Sequence, residues 1–319
     1  MIKKNFKTEK KASVGSRLSQ QMIKGLKEGK NPFFKNWKSF LEGKLDPNSF
    51  AINAFSKRLY QGVNQLVLPA GWYVTFKQCE ALGGKVNKGA KGYVVATYAP
   101  TRKLVEKPTF DPKNWDEYDE ETDKYYKNDF FIGSKTVFNV EDTTLDMSDF
   151  VCPNGNEDFE TSAMSSVMDY VARSEVNFEE SDYNYFSNSE KCIYTLNEGQ
   201  YTNPEDYYYD VFKVASYSTA HKDLLNRKDN ELLEKNTYPT EREEMTSIIS
   251  SCFCMGYLDI YSSNCKYNDK EFLIKLAEKL EQNTKLQDHI CGIVSDANKS
   301  FKLIMNVTGD VLKQSADLD

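Results

Sequence analysis

The chain has 319 residues, with 41 Lys+Arg, 48 Asp+Glu and two histidines, for a net charge of −7. That length allows two domains, each large enough to bury its own core, and no apolar run approaches the roughly 18–20 residues that cross a bilayer as a helix. Seven scattered cysteines without a C-x-x-C pair argue against a disulfide framework or a cysteine zinc site, and His221 and His289 leave little for metal or histidine chemistry.

The net charge hides an asymmetry. Residues 1–107 hold 21 basic and 6 acidic side chains, a net of +15, which leaves −22 for the remainder. A basic first third beside an acidic remainder points to a polyanion-binding module joined to a segment of another purpose. Residues 1–12 read as a flexible basic arm without the apolar stretch of a secretory signal, so a cytoplasmic setting is expected. Val14 to Gly29 reads as an amphipathic helix capped by Ser13, with Leu18, Met22 and Leu26 on one face. In the following NPFFKNWKSF, the rings of Phe33, Phe34, Trp37 and Phe40 are assigned mainly to the core beneath that helix. Residues 48–68 combine a loop and a short apolar helix.

Gly71 to Pro100 is the most informative stretch. Val74, Cys79, Ala81 and Leu82 are expected to share a helix face that Gly83-Gly84 terminates. Lys85, Lys88 and Lys91 follow at every third position, punctuated by Gly89 and Gly92, and Tyr93 to Tyr98 reads as a strand. A lysine turn flanked by aromatic residues suits a nucleic-acid strand, and equally suits a solvated hairpin. Thr101 to Asp129, with its acidic centre, is expected to be a surface insertion, and Ile132 to Val140 a strand that completes the sheet. Asp142 to Glu160 is the expected boundary, giving domains at 1–145 and 146–319. Beyond it, helices are predicted over 162–174, 204–217, 240–257, 269–283 and 286–312, with two short strands in 183–196; Thr240 and Glu243 form a capping-box pattern.

The segments QGVNQLVL, GWYVTFKQCEALGGKVNKGAKGYVV and KTVFNVEDTT, in that order, resemble the N-terminal domain of the ArdC-like antirestriction family. Tyr60, Gly62, Asn64, Trp72, Thr75, Lys77, Gln78, Gly83, Gly84, Lys88, Gly89, Lys91, Gly92 and Phe138 are among the matching positions, while Cys79 and Asp142 depart mildly. The resemblance implies a single-stranded-DNA-binding module. In that family the following domain is a zincin-like metallopeptidase, and YYYDVFKVASYSTAHKDLLNR, residues 207–227, is similar in frame to its H-E-x-x-H segment. Here the two zinc histidines fall on Lys213 and Tyr217 and the catalytic glutamate on Val214. An ammonium, a phenol and an alkyl chain replace two imidazoles and a carboxylate, so the expectation is a pseudo-metallopeptidase with no metal, cofactor or catalytic residue.

The fold class expected is therefore α+β: a mixed ssDNA-binding domain followed by a mostly helical, zincin-like domain lacking its zinc site. The proposed DNA contacts are Tyr60, Asn64, Trp72, Lys77, Gln78, Lys85, Lys88, Lys91, Tyr93 and Arg102. Two functional readings stay open. In the first, a phage or plasmid protein binds single-stranded DNA without catalysis and protects it, in a bacterial cytoplasm, from restriction or another nuclease. In the second, the acidic helical domain is the interaction surface, toward a host defence protein or as a virion component.

Overall fold

A computed structural model describes residues 12–105, 117–119, 124–150, 163–260 and 265–307, with the side chains of 99–130 left aside. The first helix, α1 (Val14–Lys27), forms where the sequence places it. The Ser13 hydroxyl accepts the Ser16 N–H at 3.0 Å, and Lys24 and Lys27 lie at the negative end of the helix dipole. Its stripe of Leu18, Met22, Ile23 and Leu26 is buried. The short α2 (Trp37–Leu41) follows. Phe33, Phe34, Trp37 and Phe40 are all core residues, and Trp37 Nε1 donates to the Phe33 carbonyl at 2.7 Å.

Next comes a sheet built from β1 (Ala51–Asn53), β2 (Arg58–Leu59), β3 (Gly71–Thr75), β4 (Gly92–Val105), β5 (Glu117–Asp119) and β6 (Lys124–Asn139). The order is β2-β1-β3-β6-β4, with β5 also pairing β6. The β1–β3 pair is parallel, bridged by the short helix α3 (Val63–Val67), and the other pairs are antiparallel. Two sequence expectations change here. Val74 lies on strand β3 and not on a helix face, because the strand WYVT is rich in aromatic and β-branched residues and stops at a capping box. Thr75 Oγ1 accepts the Gln78 N–H at 3.2 Å and Gln78 Oε1 accepts the Thr75 N–H at 3.0 Å, starting helix α4 (Phe76–Ala81). Residues 101–129 are not simply an inserted loop either. The β4 strand pairs with β6 from Gly92↔Phe138 to Val105↔Tyr125, so much of the stretch extends the hairpin. Within it β5 also pairs β6, and residues 106–116 and 120–123 lie outside the described residues.

The open edge of β4 is closed by side chains. Gln21 of α1 donates to the Val94 carbonyl at 2.8 Å and accepts the Val94 N–H at 2.6 Å. Asn64 of α3 does the same for Ala96, at 2.8 and 2.7 Å. Each amide takes the place of a neighbouring peptide group, satisfying donors and acceptors that an edge strand would leave bare.

The remainder is mostly helical: α5 (Ala163–Ser174), α6 (Pro204–Ser218), α7 (Glu241–Tyr257), α8 (Lys270–Gln282), α9 (Thr284–Asp288) and α10 (Ile290–Met305). A small sheet of β7 (Asn177–Glu180), β8 (Tyr185–Ser187) and β9 (Cys192–Thr195), in the order β7-β9-β8, lies between α5 and α6. The helix expected over 286–312 is broken at His289 and ends at Met305, followed by left-handed Asn306. Across the chain, α1 packs on α8, α9 and α10, and α2 packs on α7. The Trp37 and Phe253 rings meet edge to face at 4.9 Å. A single buried cluster thus takes in Leu18 and Trp37 from the first half and Phe253 and Phe301 from the second. Among the described residues no helix is long and apolar enough to cross a membrane.

Candidate nucleic-acid interface

The lysine turn is anchored at several points. Helix α4 is capped at Leu82 and followed by Gly83, whose φ of 82° is left-handed, and Gly89 at φ 86° turns the chain back toward β4. Between them, the Lys85 N–H donates to Thr144 Oγ1 at 2.9 Å and the Lys85 carbonyl accepts the Thr144 N–H at 2.9 Å. The Asn87 N–H reaches the Asp142 carbonyl at 3.0 Å, and Val86 bridges Thr143. These bonds spend backbone groups and leave the side chains outward: Lys85, Lys88 and Lys91 are exposed, as is Lys77 at the start of α4. Lys91 Nζ stands 4.5 Å from the ring centroid of half-buried Tyr93, which packs edge-on to Tyr73 at 5.7 Å.

The other expected contacts divide. Gln78 is partly exposed but committed to the capping box and to Asn53, whose Nδ2 lies 3.4 Å from Gln78 Oε1. Arg102 falls on β4, with its side chain outside the described residues. Tyr60, Asn64 and Trp72 are corrected from DNA contacts to core residues, at 4%, 3% and 3% exposure. The Tyr60 hydroxyl accepts from Asn53 Nδ2 at 3.3 Å, and burial raises its pKa above the ordinary phenol value. Asn64 is spent on Ala96. Trp72 packs on Phe150 at 5.6 Å, with Lys57 Nζ 4.8 Å from its ring. None of the three offers a free face to a base.

Two exposed rings of this domain are Phe55, at 47%, and Phe76, at 54%; the sequence marks Phe76 only as one of the aromatic residues flanking the lysine turn and does not single out Phe55. Phe55 sits in an Asx turn after β1, where Asn53 Oδ1 accepts the Phe55 and Ser56 N–H groups at 3.0 and 2.9 Å. Phe76 is the first helical residue after the Thr75 cap. The legible signals were the T-x-x-Q box and the N-A-F-S turn. Both rings lie past the parallel strand ends of β1 and β3, beside the exposed Lys57 and Lys77.

In the helical half, Lys213, Val214 and Tyr217 lie on α6 and line a cavity of about 230 Å³, together with Asp210, Glu234 and Tyr238. Val214 is buried, and burial pushes the Tyr217 phenol well above its ordinary pKa, so it stays protonated. His221 is buried, with Nδ1 accepting the Asp223 N–H at 3.2 Å; desolvation lowers its pKa and favours the neutral ring. Asp223 Oδ2, 3.5 Å away, opposes that shift, but the N–H donated to Nδ1 requires the unprotonated nitrogen. Glu243 is paired with Arg227 at 2.8 Å and Glu244 with Lys279. An ammonium, an alkyl group and a protonated phenol are not a donor set that fits a divalent metal. Among the described residues no group of three His, Cys, Asp or Glu side chains converges either.

Residues 12–138 match the family described as the N-terminal domain of anti-restriction factor ArdC. The chain is 25% identical over 256 residues to a DNA primase TraC of Escherichia coli, a match covering 76% of this chain but only 23% of that relative. The antirestriction ArdC protein from plasmid R388 superposes at a TM-score of 0.52 in both a metal-free and an Mn(II)-bound crystal structure. Identity is 18% and 17%, over 92% of this chain and 96% and 97% of the other, so this likeness is one of fold. The chain is thus ArdC-like: its fold is that of the R388 antirestriction protein, and its residues 12–138 are similar to the N-terminal domain of anti-restriction factor ArdC.

Proposed function

We propose that this chain binds single-stranded DNA without catalysing a reaction on it, and that it shields the incoming DNA of a phage or plasmid from restriction or another nuclease in a bacterial cytoplasm. The observation that carries the reading is the anchored turn that holds Lys85, Lys88 and Lys91 outward within the ArdC-type domain. Phosphates would track those lysines and Lys77, while the exposed rings of Phe55 and Phe76 give sequence-tolerant stacking faces. In the helical half, the positions that match the peptidase-like segment carry structural bonds. Ser218 Oγ meets the Tyr170 hydroxyl at 2.7 Å, Thr219 Oγ1 meets Ser300 Oγ at 2.8 Å, and Arg227 pairs with Glu243. Lys213, Val214 and Tyr217 are where metal chemistry would have to be done, and these residue types favour a scaffold role for this half.

The test is a fluorescence-anisotropy titration of the full chain with a labelled dT15 strand across a salt series. Tight binding at low salt is expected, weakening steeply as salt rises. Replacing Lys85, Lys88 and Lys91 together by Ala should lower affinity and make the log–log salt slope shallower by about 2, at roughly 0.7 per phosphate contact on a single strand. No binding of dT15 at low salt, or a triple variant indistinguishable from wild type, refutes the reading.

A further inference from the structure

Helix α1 spends an interior position on glycine. Gly25 has helical neighbours on both sides, and a Cβ built on it would meet no heavy atom within 4 Å. Glycine weakens a helix turn relative to alanine, so nothing in the packing here asks for it. What the missing side chain leaves clear is a cleft of about 630 Å³ between α1, the 30–36 segment, the end of α3 and the start of β4. That volume falls inside the ~300–1,000 Å³ range of small-molecule sites.

The lining has the chemistry of a nucleotide site. Phe34, Leu66 and Tyr93 give it apolar and aromatic walls, and Lys24, Lys30 and Lys91 stand among its lining residues. With Lys35, the described lining carries four lysines against one carboxylate, Glu28, which Lys30 already engages at 3.0 Å. Lys35 Nζ donates to the Gln65 carbonyl at 2.9 Å, and burial pulls its pKa down to about 7, so a nearby phosphate would draw it back to the charged form. Asn31, another lining residue, has a buried side-chain NH2 with no acceptor among the described residues. The cleft adjoins the lysine turn, because Lys91 belongs to both and the first residues of β4, Gly92 and Tyr93, line it as well.

We propose that this cleft takes in one nucleotide of the bound single strand, its base against Phe34 and Tyr93 and its phosphate among Lys24, Lys30 and Lys91. The inference rests on the single-strand reading above and adds to it a pocket that distinguishes a stacked, inserted base from simple charge tracking.

Gly25 supplies the test, because a side chain there projects into open space. Dissociation constants for labelled dT15 and for an abasic strand of the same length are measured on the full chain. The variants are Gly25→Ala, Gly25→Phe and Lys24→Glu, with thermal melts confirming that each is folded; Lys24 is exposed, so its replacement does not disturb the core. Gly25→Ala should match wild type. Gly25→Phe and Lys24→Glu should each bind dT15 at least tenfold more weakly, and Gly25→Phe should lose wild type's preference for dT15 over the abasic strand. A folded Gly25→Phe, or Lys24→Glu, that binds dT15 as tightly as wild type overturns the proposal. If that happens while Lys85→Ala/Lys88→Ala still loses affinity, the cleft assignment falls and the single-strand reading stands. Failure of wild type to bind dT15 at all removes both.

Discussion

Arg227 is the sharpest place to perturb the helical half. It is 7% exposed and its partner Glu243 is 2% exposed. The guanidinium makes contacts of 2.8–3.1 Å with both carboxylate oxygens, donates to Thr219 Oγ1 at 2.7 Å and Ser300 Oγ at 2.8 Å, and reaches the Ser216 carbonyl at 2.9 Å. One side chain thereby ties the end of α6 to α7 and α10. Glu243→Gln keeps the shape and strips the charge, leaving a buried cation without its counter-ion, which costs about 3–5 kcal/mol. Arg227→Met strands the carboxylate and should cost a similar amount. That is a large fraction of the ~5–15 kcal/mol that holds a domain folded. Arg227→Met/Glu243→Gln removes both charges, so it should be less destabilised than the two single costs together predict, with a coupling of about 2 kcal/mol or more. Urea unfolding followed by far-ultraviolet circular dichroism at neutral pH measures all four proteins. Single costs below about 1 kcal/mol, or costs that add to within about 0.5 kcal/mol, would refute the reasoning.

Two further outcomes follow from buried polar groups. Asn64→Leu removes both hydrogen bonds to Ala96 and leaves a buried N–H and C=O unpaired, at about 1–3 kcal/mol each; urea midpoints should fall accordingly, and a shift below about 0.5 kcal/mol would return Asn64 to the list of surface contacts. Lys35 is a pH probe: burial lowers its folded pKa to about 7 from 10.5, so the unfolded chain holds more protons between those values and this residue's contribution to stability rises as pH increases through that window. Comparing melting of wild type and Lys35→Met at pH 6 and pH 9, the difference should move in wild type's favour at the higher pH. A pH-independent difference would mean that the ammonium is well solvated.

Long periodic elements were legible from the sequence because local chemistry decides them. The Leu18-Met22-Leu26 stripe behind Ser13 located α1, and Thr240 ahead of an apolar run located α7. Even there the expected capping box is half-filled: Thr240 caps the Glu243 N–H at 3.2 Å, while the Glu243 side chain turns to Arg227. Elements fixed by distant partners were not legible. The three-residue strand β1 gains its identity from β3, some twenty residues on, and the fate of Trp72 is decided by Phe150. Asn64 and Tyr60 look like ligand-binding polar residues in a list of motif positions, and only the sheet shows that their hydrogen-bonding groups are already engaged. The exposed lysines were predictable for the opposite reason: no partner is needed to keep a charged side chain in water.

The sharing of one core by α1, α2 and the helices α7 to α10 has a thermodynamic consequence. Ligand affinity and helix stability become linked quantities, because any strand held between α1 and β4 binds only the folded arrangement of both. Saturation at a hundred times the dissociation constant would add about 2.7 kcal/mol to the folded state. The helices would register that gain as slower amide exchange in α8 to α10, far along the chain from the lysine turn. The helical half would then help to set how firmly the strand is held.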